Sequence, residues 1–362
     1  MKVLFLIPNL KNCGPVNVLL SIIRDIKCDK VIVFSLFGND DLVIVDSIKK
    51  RGAEYRNLNL NMGDIIFRTR AIRRVIEEYS PDVINAHGIQ ADLLLSKLKM
   101  QVYKISTQHC NYFEDYSSRF GVVAGYLIAA LHCHFNNKND KNICCSKAVY
   151  DEMKKHVRKC TFIRNGIIAK GYTEKEKKRY KNKITKELGL PGNSILYIYL
   201  GVLSKRKNVI NLIKLFKEAR KEDEYLLIVG DGGQFEKCKR LIDSHIIMTG
   251  KKQNARDYLL ASDIYVSNSR SEGLSMSILE AIDAGDSLFL SNNASHNECV
   301  DIIGGKMAAM TYDSCSFNEV KELIAKKTLN NPRCLPCDVE KKISSTRMAF
   351  EYGEAFKEGV KI

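Results

Sequence analysis

The chain has 362 residues, long for a single hydrophobic core and enough for two domains of ordinary size. Its hydrophobic fraction of 45% is normal for a globular protein. No stretch reaches the roughly 18 apolar residues of a spanning helix, which argues against a transmembrane protein. The formal charge of +15 points to an anionic partner: nucleic acid, an acidic membrane face or a phosphorylated substrate.

Lys2–Ile7 is a continuous apolar run and reads as a first strand. It is too short for a signal-peptide core and is followed by Pro8 and Asn9, which places the chain in the cytosol. Helical spacing follows over Val16–Ile26, then a strand over Lys30–Phe37, a helix over Ala71–Glu78 and a strand over Asp82–Ala86 that ends at His87. Val102–Thr107 is a strand leading to His109. The apolar stretch Gly121–Leu131 is too short to cross a bilayer. It reads first as a core helix, and second as a face resting, with basic neighbours, on an anionic membrane. Asn142–Cys145 is a strand, Ser146 caps the helix after it, and the strand Thr161–Arg164 stops at Asn165-Gly166.

A Lys-rich run over Lys175–Lys186 comes next, interrupted by Glu176 and flanked by Glu174 and Glu187. It suits a solvated helix face, and it lacks the aromatic interleaving expected of a nucleic-acid reader, so nucleic acid is not the expected partner. Alternation then restarts: strand Ile195–Leu200, helix Val209–Arg220, strand Tyr225–Val229, helix Gln234–Leu241, strand Ile246–Thr249, helix Ala255–Ala261, strand Ile264–Ser267, helix Ser275–Ala284 and strand Ser287–Leu290. Two doubly wound α/β domains in series account for this pattern, with ligands expected beyond the carboxyl ends of their strands. The expected boundaries are 1–166, 167–345 and a terminal helix in 346–362 that returns to the first domain. The 12 cysteines read as scattered reduced thiols. Cys334-x-x-Cys337 has no second ligand pair at zinc spacing.

The chemically informative stretch runs from Ser267 to Ala281. It leaves a strand, turns at Gly273 and enters a helix whose first N–H groups, at Ser275, Met276 and Ser277, offer an anion site for a diphosphate. Glu280, farther along the helix, can accept hydrogen bonds from vicinal hydroxyls, and Glu272, before the turn, can meet sugar hydroxyls. A capped helix with two surface glutamates has the same spacing.

Glu272 and Glu280 enclose seven residues and resemble the E-x7-E motif of the retaining glycosyltransferase family 4, which has the GT-B fold. Gly201-Val202-Leu203-Ser204-Lys205-Arg206-Lys207-Asn208 resembles that family's G-R-L-x-x-x-K-G/N loop. Val229-Gly230-Asp231-Gly232, Asn165-Gly166-Ile167 and Thr249-Gly250 resemble three further family motifs, in the family's order. The resemblance implies two Rossmann-like domains facing across a cleft. It implies that Glu280 binds the donor ribose and that Glu272, with the backbone of Ser275 and Met276, holds the transferred sugar. Lys207, helped by the Ser277 N–H, would neutralise the diphosphate, and backbone near Lys251 and Lys252 would read the base. In the first domain Gly14 resembles the second glycine of a G-G pair that approaches the diphosphate, and His109 resembles the histidine facing the reacting sugar. His87, at the end of its own strand, is an open case.

Three departures stand out. Val202 replaces the arginine of G-R-L, Cys13 replaces the first glycine of G-G, and Asn292 to Glu298 lacks the glycine pair usual before a glutamate. Arg206 either takes over the missing guanidinium's grip on phosphate or points to solvent. No two aspartates are separated by one residue, so the D-x-D of metal-dependent transferases is absent. The resemblance therefore implies a retaining glycosyltransferase with neither metal nor cofactor. It takes its sugar from a nucleotide donor, UDP ahead of GDP, and gives it to a glycan or lipid-linked acceptor for the cell surface. A nucleotide-sugar epimerase of the same fold, or a non-catalytic nucleotide-sugar binder, would share the donor motifs.

Overall fold

The structure, a computed structural model, describes residues 1–305, 309–313 and 335–360. The chain divides into two compact units, Met1–Ile168 with Ser344–Ile362, and Ala169–Ile343. Cys334 of the C-x-x-C pair and Lys361 at the end of the chain lie outside the described residues.

The first unit is built on seven parallel strands: β1 (Lys2–Ile7), β2 (Lys30–Ser35), β3 (Glu54–Asn57), β4 (Val83–His87), β5 (Tyr103–Gln108), β6 (Lys141–Cys144) and β7 (Cys160–Phe162). Their order is β3-β2-β1-β4-β5-β6-β7. The direction of winding reverses between β1 and β4, which opens a crevice at their carboxyl ends. Leu4, Leu6, Ile32, Phe34, Ile84 and Leu94 form a fully buried core beside the sheet. The last helix, Ser345–Lys357, belongs to this unit. Its Ser345 hydroxyl donates to Asp25 at 2.9 Å, and Phe356 meets Phe5 edge-on.

The second unit repeats the scheme with six parallel strands: β8 (Ile195–Leu200), β9 (Glu224–Val229), β10 (Ile246–Gly250), β11 (Ile264–Ser267), β12 (Ser287–Ser291) and β13 (Ala309–Tyr312). The order β10-β9-β8-β11-β12-β13 puts the reversal between β8 and β11. Tyr197, Tyr199, Phe216, Leu226 and Ile228 anchor its core. The V-G-D-G motif has a steric reason here. Gly230 has φ +149°, and a Cβ on it would lie 1.9 Å from the carbonyl oxygen of Gly201, so the loops after β8 and β9 pass too closely for any side chain.

The expected α/β class holds, with elements displaced by a residue or two at their ends. Strands β3 and β13 lie at sheet edges and were not anticipated. Glu-Tyr-Arg-Asn in β3 has no apolar run to read. Helices Leu42–Lys50, Met62–Phe67, Ile89–Lys97, Tyr112–Phe120 and Ala294–Ile303 were also not expected.

Gly121–Leu131 corrects a preferred reading. It lies in the helix Val122–Asn136, whose large apolar side chains Val122, Val123, Tyr126, Leu127 and Leu131 are exposed. The buried positions are Gly125, Ala129, His132, Cys133 and Asn136. A Cβ on Gly125 would lie 2.3 Å from the backbone nitrogen of Ser117, so helix Tyr112–Phe120 packs directly on the small-residue face and the bulky residues turn outward. The Lys-rich run is also not simply solvated. Within helix Glu174–Leu188, Lys177 pairs with Asp286, Lys181 with Asp263 and Lys183 with Asp257.

Candidate active site

The crevice of the second unit collects the motif residues. The loop after β8 brings Arg206 and Lys207, and the loop after β11 brings Glu272. The Arg270 N–H donates to the Arg206 carbonyl at 2.9 Å and ties the two loops. Arg206 Nη1 donates to the carbonyl of Ser271 at 2.6 Å and to Glu272 Oε2 at 3.0 Å, while Lys207 Nζ donates to Glu272 Oε1. The guanidinium thus faces the site loop, whereas Val202, in the position of the family arginine, is 56% exposed.

Burial alone would raise the Glu272 carboxyl; Lys207 and Arg206 outweigh it and hold the group at about 2. Lys207 is nevertheless lowered, because its burial, with repulsion from Arg206, exceeds the attraction of this one carboxylate. One buried carboxylate shared by two cations leaves a local excess of positive charge. That is the electrostatics an incoming diphosphate needs.

Helix Met276–Ala284 begins just beyond Glu272. Its N-cap Ser275 makes no side-chain capping bond; its hydroxyl lies 3.0 Å from that of Ser277, which in turn meets the Tyr265 hydroxyl at 2.8 Å. The first-turn N–H groups are therefore not occupied by a side-chain cap. Glu280 is half-buried on the same helix and makes no hydrogen bond or ion pair among the described residues. Burial raises its carboxyl, only partly offset by Arg256. Gly250 has φ +70° and its carbonyl accepts from the Gly230 N–H at 3.0 Å, which turns the chain into exposed Lys251 and half-buried Lys252.

The segment lacking its glycine pair compensates with side chains. Ser291 Oγ donates to the Ser269 carbonyl at 2.7 Å, Asn293 Nδ2 to the same oxygen at 3.0 Å, and Ser295 Oγ to the Glu272 carbonyl at 2.7 Å. Buried His296 follows, lowered to about 4 by burial, with Nε2 unpartnered among the described residues. The sequence marks this segment by its missing glycine pair and assigns these side chains no role.

In the first unit Gly14 opens helix Gly14–Asp25, preceded by Cys13, which provides no side-chain cap. A Cβ on Gly14 would meet nothing within 4 Å, so the protein's own packing does not require glycine there. His109 follows β5, with Nε2 2.9 Å from Nδ1 of His87.

Two doubly wound units, the second presenting a paired carboxylate, two cations and an open helix start at its switch point, define the GT-B class. Residues 180–326 match the family model described as "Glycosyl transferases group 1", and residues 27–170 match that described as "Glycosyltransferase Family 4". The chain belongs to the family 4 glycosyltransferases. It is 22% identical over 377 residues to the O-antigen biosynthesis glycosyltransferase WclY of Escherichia coli, covering 98% of each chain. It is 26% identical over 270 residues to an Escherichia coli UDP-Gal:alpha-D-GlcNAc-diphosphoundecaprenol alpha-1,3-galactosyltransferase, covering 67% of this chain and 65% of that one. Anabaena HepE, solved with UDP and glucose, superposes with a TM-score of 0.80 at 15% identity, covering 99% of this chain and 100% of that one.

Proposed function

We propose that this glycosyltransferase moves a sugar from a UDP-sugar to a glycan or lipid-linked acceptor, with retention and without a metal, in assembly of a cell-surface polysaccharide. The observation that carries the reading is the contrast between its two motif carboxylates. Glu272 is fixed as an anion between Arg206 and Lys207, whereas Glu280, beyond an open helix start, has no hydrogen-bond or ion-pair partner among the described residues. The first arrangement suits holding a sugar beside a diphosphate, and the second suits a ribose. Leaving-group charge is met by Lys207, Arg206 and the N–H groups of Ser275 to Ser277, which is electrostatic stabilisation by fixed groups. The UDP preference leans on the UDP-linked names of similar proteins, and the lipid-linked acceptor on the diphosphoundecaprenol named for one of them.

The exposed apolar side chains of helix Val122–Asn136, with Phe120 before it and Phe67 elsewhere on the same unit, suit peripheral contact with an anionic membrane bearing such an acceptor. No helix among the described residues is long and apolar enough to cross a membrane.

The test combines nucleotide selectivity with stereochemistry. UDP raises the melting temperature more than GDP, transfer survives EDTA, and the product keeps the donor's anomeric configuration by proton NMR. Activity lost to chelator and restored by manganese sinks the metal-free claim, and an inverted anomeric signal sinks retention. Conversion of free nucleotide sugar without an acceptor identifies an epimerase instead.

A further inference from the structure

A line of polar side chains runs along the carboxyl ends of β4 and β5. Asn85, His87 and Thr107 are buried, and His109 is partly exposed. His87 Nε2 lies 2.9 Å from Asn85 Oδ1, and His87 Nδ1 lies 2.9 Å from His109 Nε2. The direction of each bond follows from one fixed acceptor. Asn85 Nδ2 reaches the Ile105 carbonyl at 3.4 Å and Thr107 Oγ1 at 3.0 Å, and a carbonyl only accepts. Turning the amide over would set two oxygens against each other. The Asn85 oxygen therefore faces His87, and Nε2 of His87 carries its proton.

Burial, with the neighbouring His109, keeps His87 well below the ordinary imidazole range, and burial brings His109 down to about 4. Both rings are neutral near pH 7. A neutral His87 protonated on Nε2 has a bare Nδ1, which accepts from the Nε2–H of His109. That commits the single proton of His109 inward. His109 makes no other side-chain hydrogen bond among the described residues. Thr107 also lies 3.3 Å from the Tyr352 hydroxyl of the terminal helix, which steadies the far end of the line.

We propose that His87 and Asn85 are positioning residues that lock His109 as its Nε2–H tautomer, so that the Nδ1 of its partly exposed ring can only accept a hydrogen bond. The lock is carried by this unit alone and does not rest on the proposed function.

Long-range proton–nitrogen correlation spectra of the histidine rings test the lock directly, with the His109 signals identified by their loss in His109→Asn. The wild type is expected to show a protonated Nε2 and a bare Nδ1 at neutral pH. An Nδ1–H or doubly protonated ring overturns the proposal, whether or not any sugar is transferred. In folded variants, His87→Gln keeps an acceptor and preserves the tautomer, whereas His87→Leu yields a mixture; an unchanged His109 in His87→Leu overturns the role of His87.

Discussion

Glu272 and Glu280 are one residue type in opposite electrostatic settings, and that contrast makes them separable by mutation. On the proposed ribose role, Glu280→Ala removes an anionic acceptor, and a hydrogen bond to a charged group contributes about 1.5–3 kcal/mol. UDP affinity should fall by roughly ten- to a hundredfold in a calorimetric titration. Because burial raises the Glu280 carboxyl, wild-type affinity should weaken on acidification before ordinary carboxylates titrate, and the variant should lack that component. Unchanged affinity in a folded variant would falsify the assignment. Arg206 allows a sharper experiment. Its guanidinium is already held at Glu272, while Val202 in the family arginine's place points outward. Arg206→Ala should lower UDP affinity by roughly tenfold, the cost of a charge-assisted contact, and adding Val202→Arg should restore most of it. A silent single change means that Arg206 does not serve the phosphates.

Among the elements, helix Glu174–Leu188 most changes how the sequence is read. It is closed at its start by a reciprocal Thr173–Glu176 capping box and at its end by left-handed Gly189. Its lysines are spaced to meet three aspartates of the same unit, so part of the basic excess is structural. The pair with Asp286 is the most buried: the carboxylate is fully covered, accepting from Lys177 at 3.0 Å and from Ser262 at 3.0 Å. Burial raises Asp286 to about 6 from 3.8, more than Lys177 and Ser262 lower it. The folded state therefore holds this proton where the unfolded chain has released it, and stability falls as pH rises from about 4 to about 6. The shift corresponds to at most about 3 kcal/mol. Denaturant unfolding of wild type and Asp286→Asn should show the wild type losing ground by that order across the window. A wild type that instead gains would mean that the ion pair outweighs its desolvation.

At the scale of the whole molecule, the charge of +15 and the outward apolar residues of the first unit suit the same occupant. In the proposed membrane contact, exposed Val123 and Leu127, on a helix that turns its small residues inward, would supply apolar insertion, and the basic excess would supply attraction to anionic lipid. Co-sedimentation with phosphatidylglycerol vesicles should exceed that with neutral vesicles and weaken with salt. The double change Val123→Asp with Leu127→Asp should reduce it by roughly tenfold while UDP binding stays unchanged. Equal binding of wild type and variant rules out this face as the membrane contact.

Apolar strands such as Lys2–Ile7 and Ile195–Leu200 were legible from the sequence, since a central parallel strand is buried on both faces and must be apolar throughout. The E-x7-E, V-G-D-G and G-x-L-x-x-x-K stretches were legible too, because each is local and its spacing is fixed by one turn. Edge strand β3 was not, since an edge needs no continuous apolar run. The outward face of Val122–Asn136 was also hidden. Hydrophobicity states that a residue avoids water, but only the close approach of Tyr112–Phe120 over Gly125 decides which side is covered. The clamp of Ser291, Asn293 and Ser295 on the Glu272 loop, and the line that joins Asn85 and His87 to Thr107 and His109, bring together residues distant in the chain. Their meeting is set by strand order, which a sequence fixes only by folding.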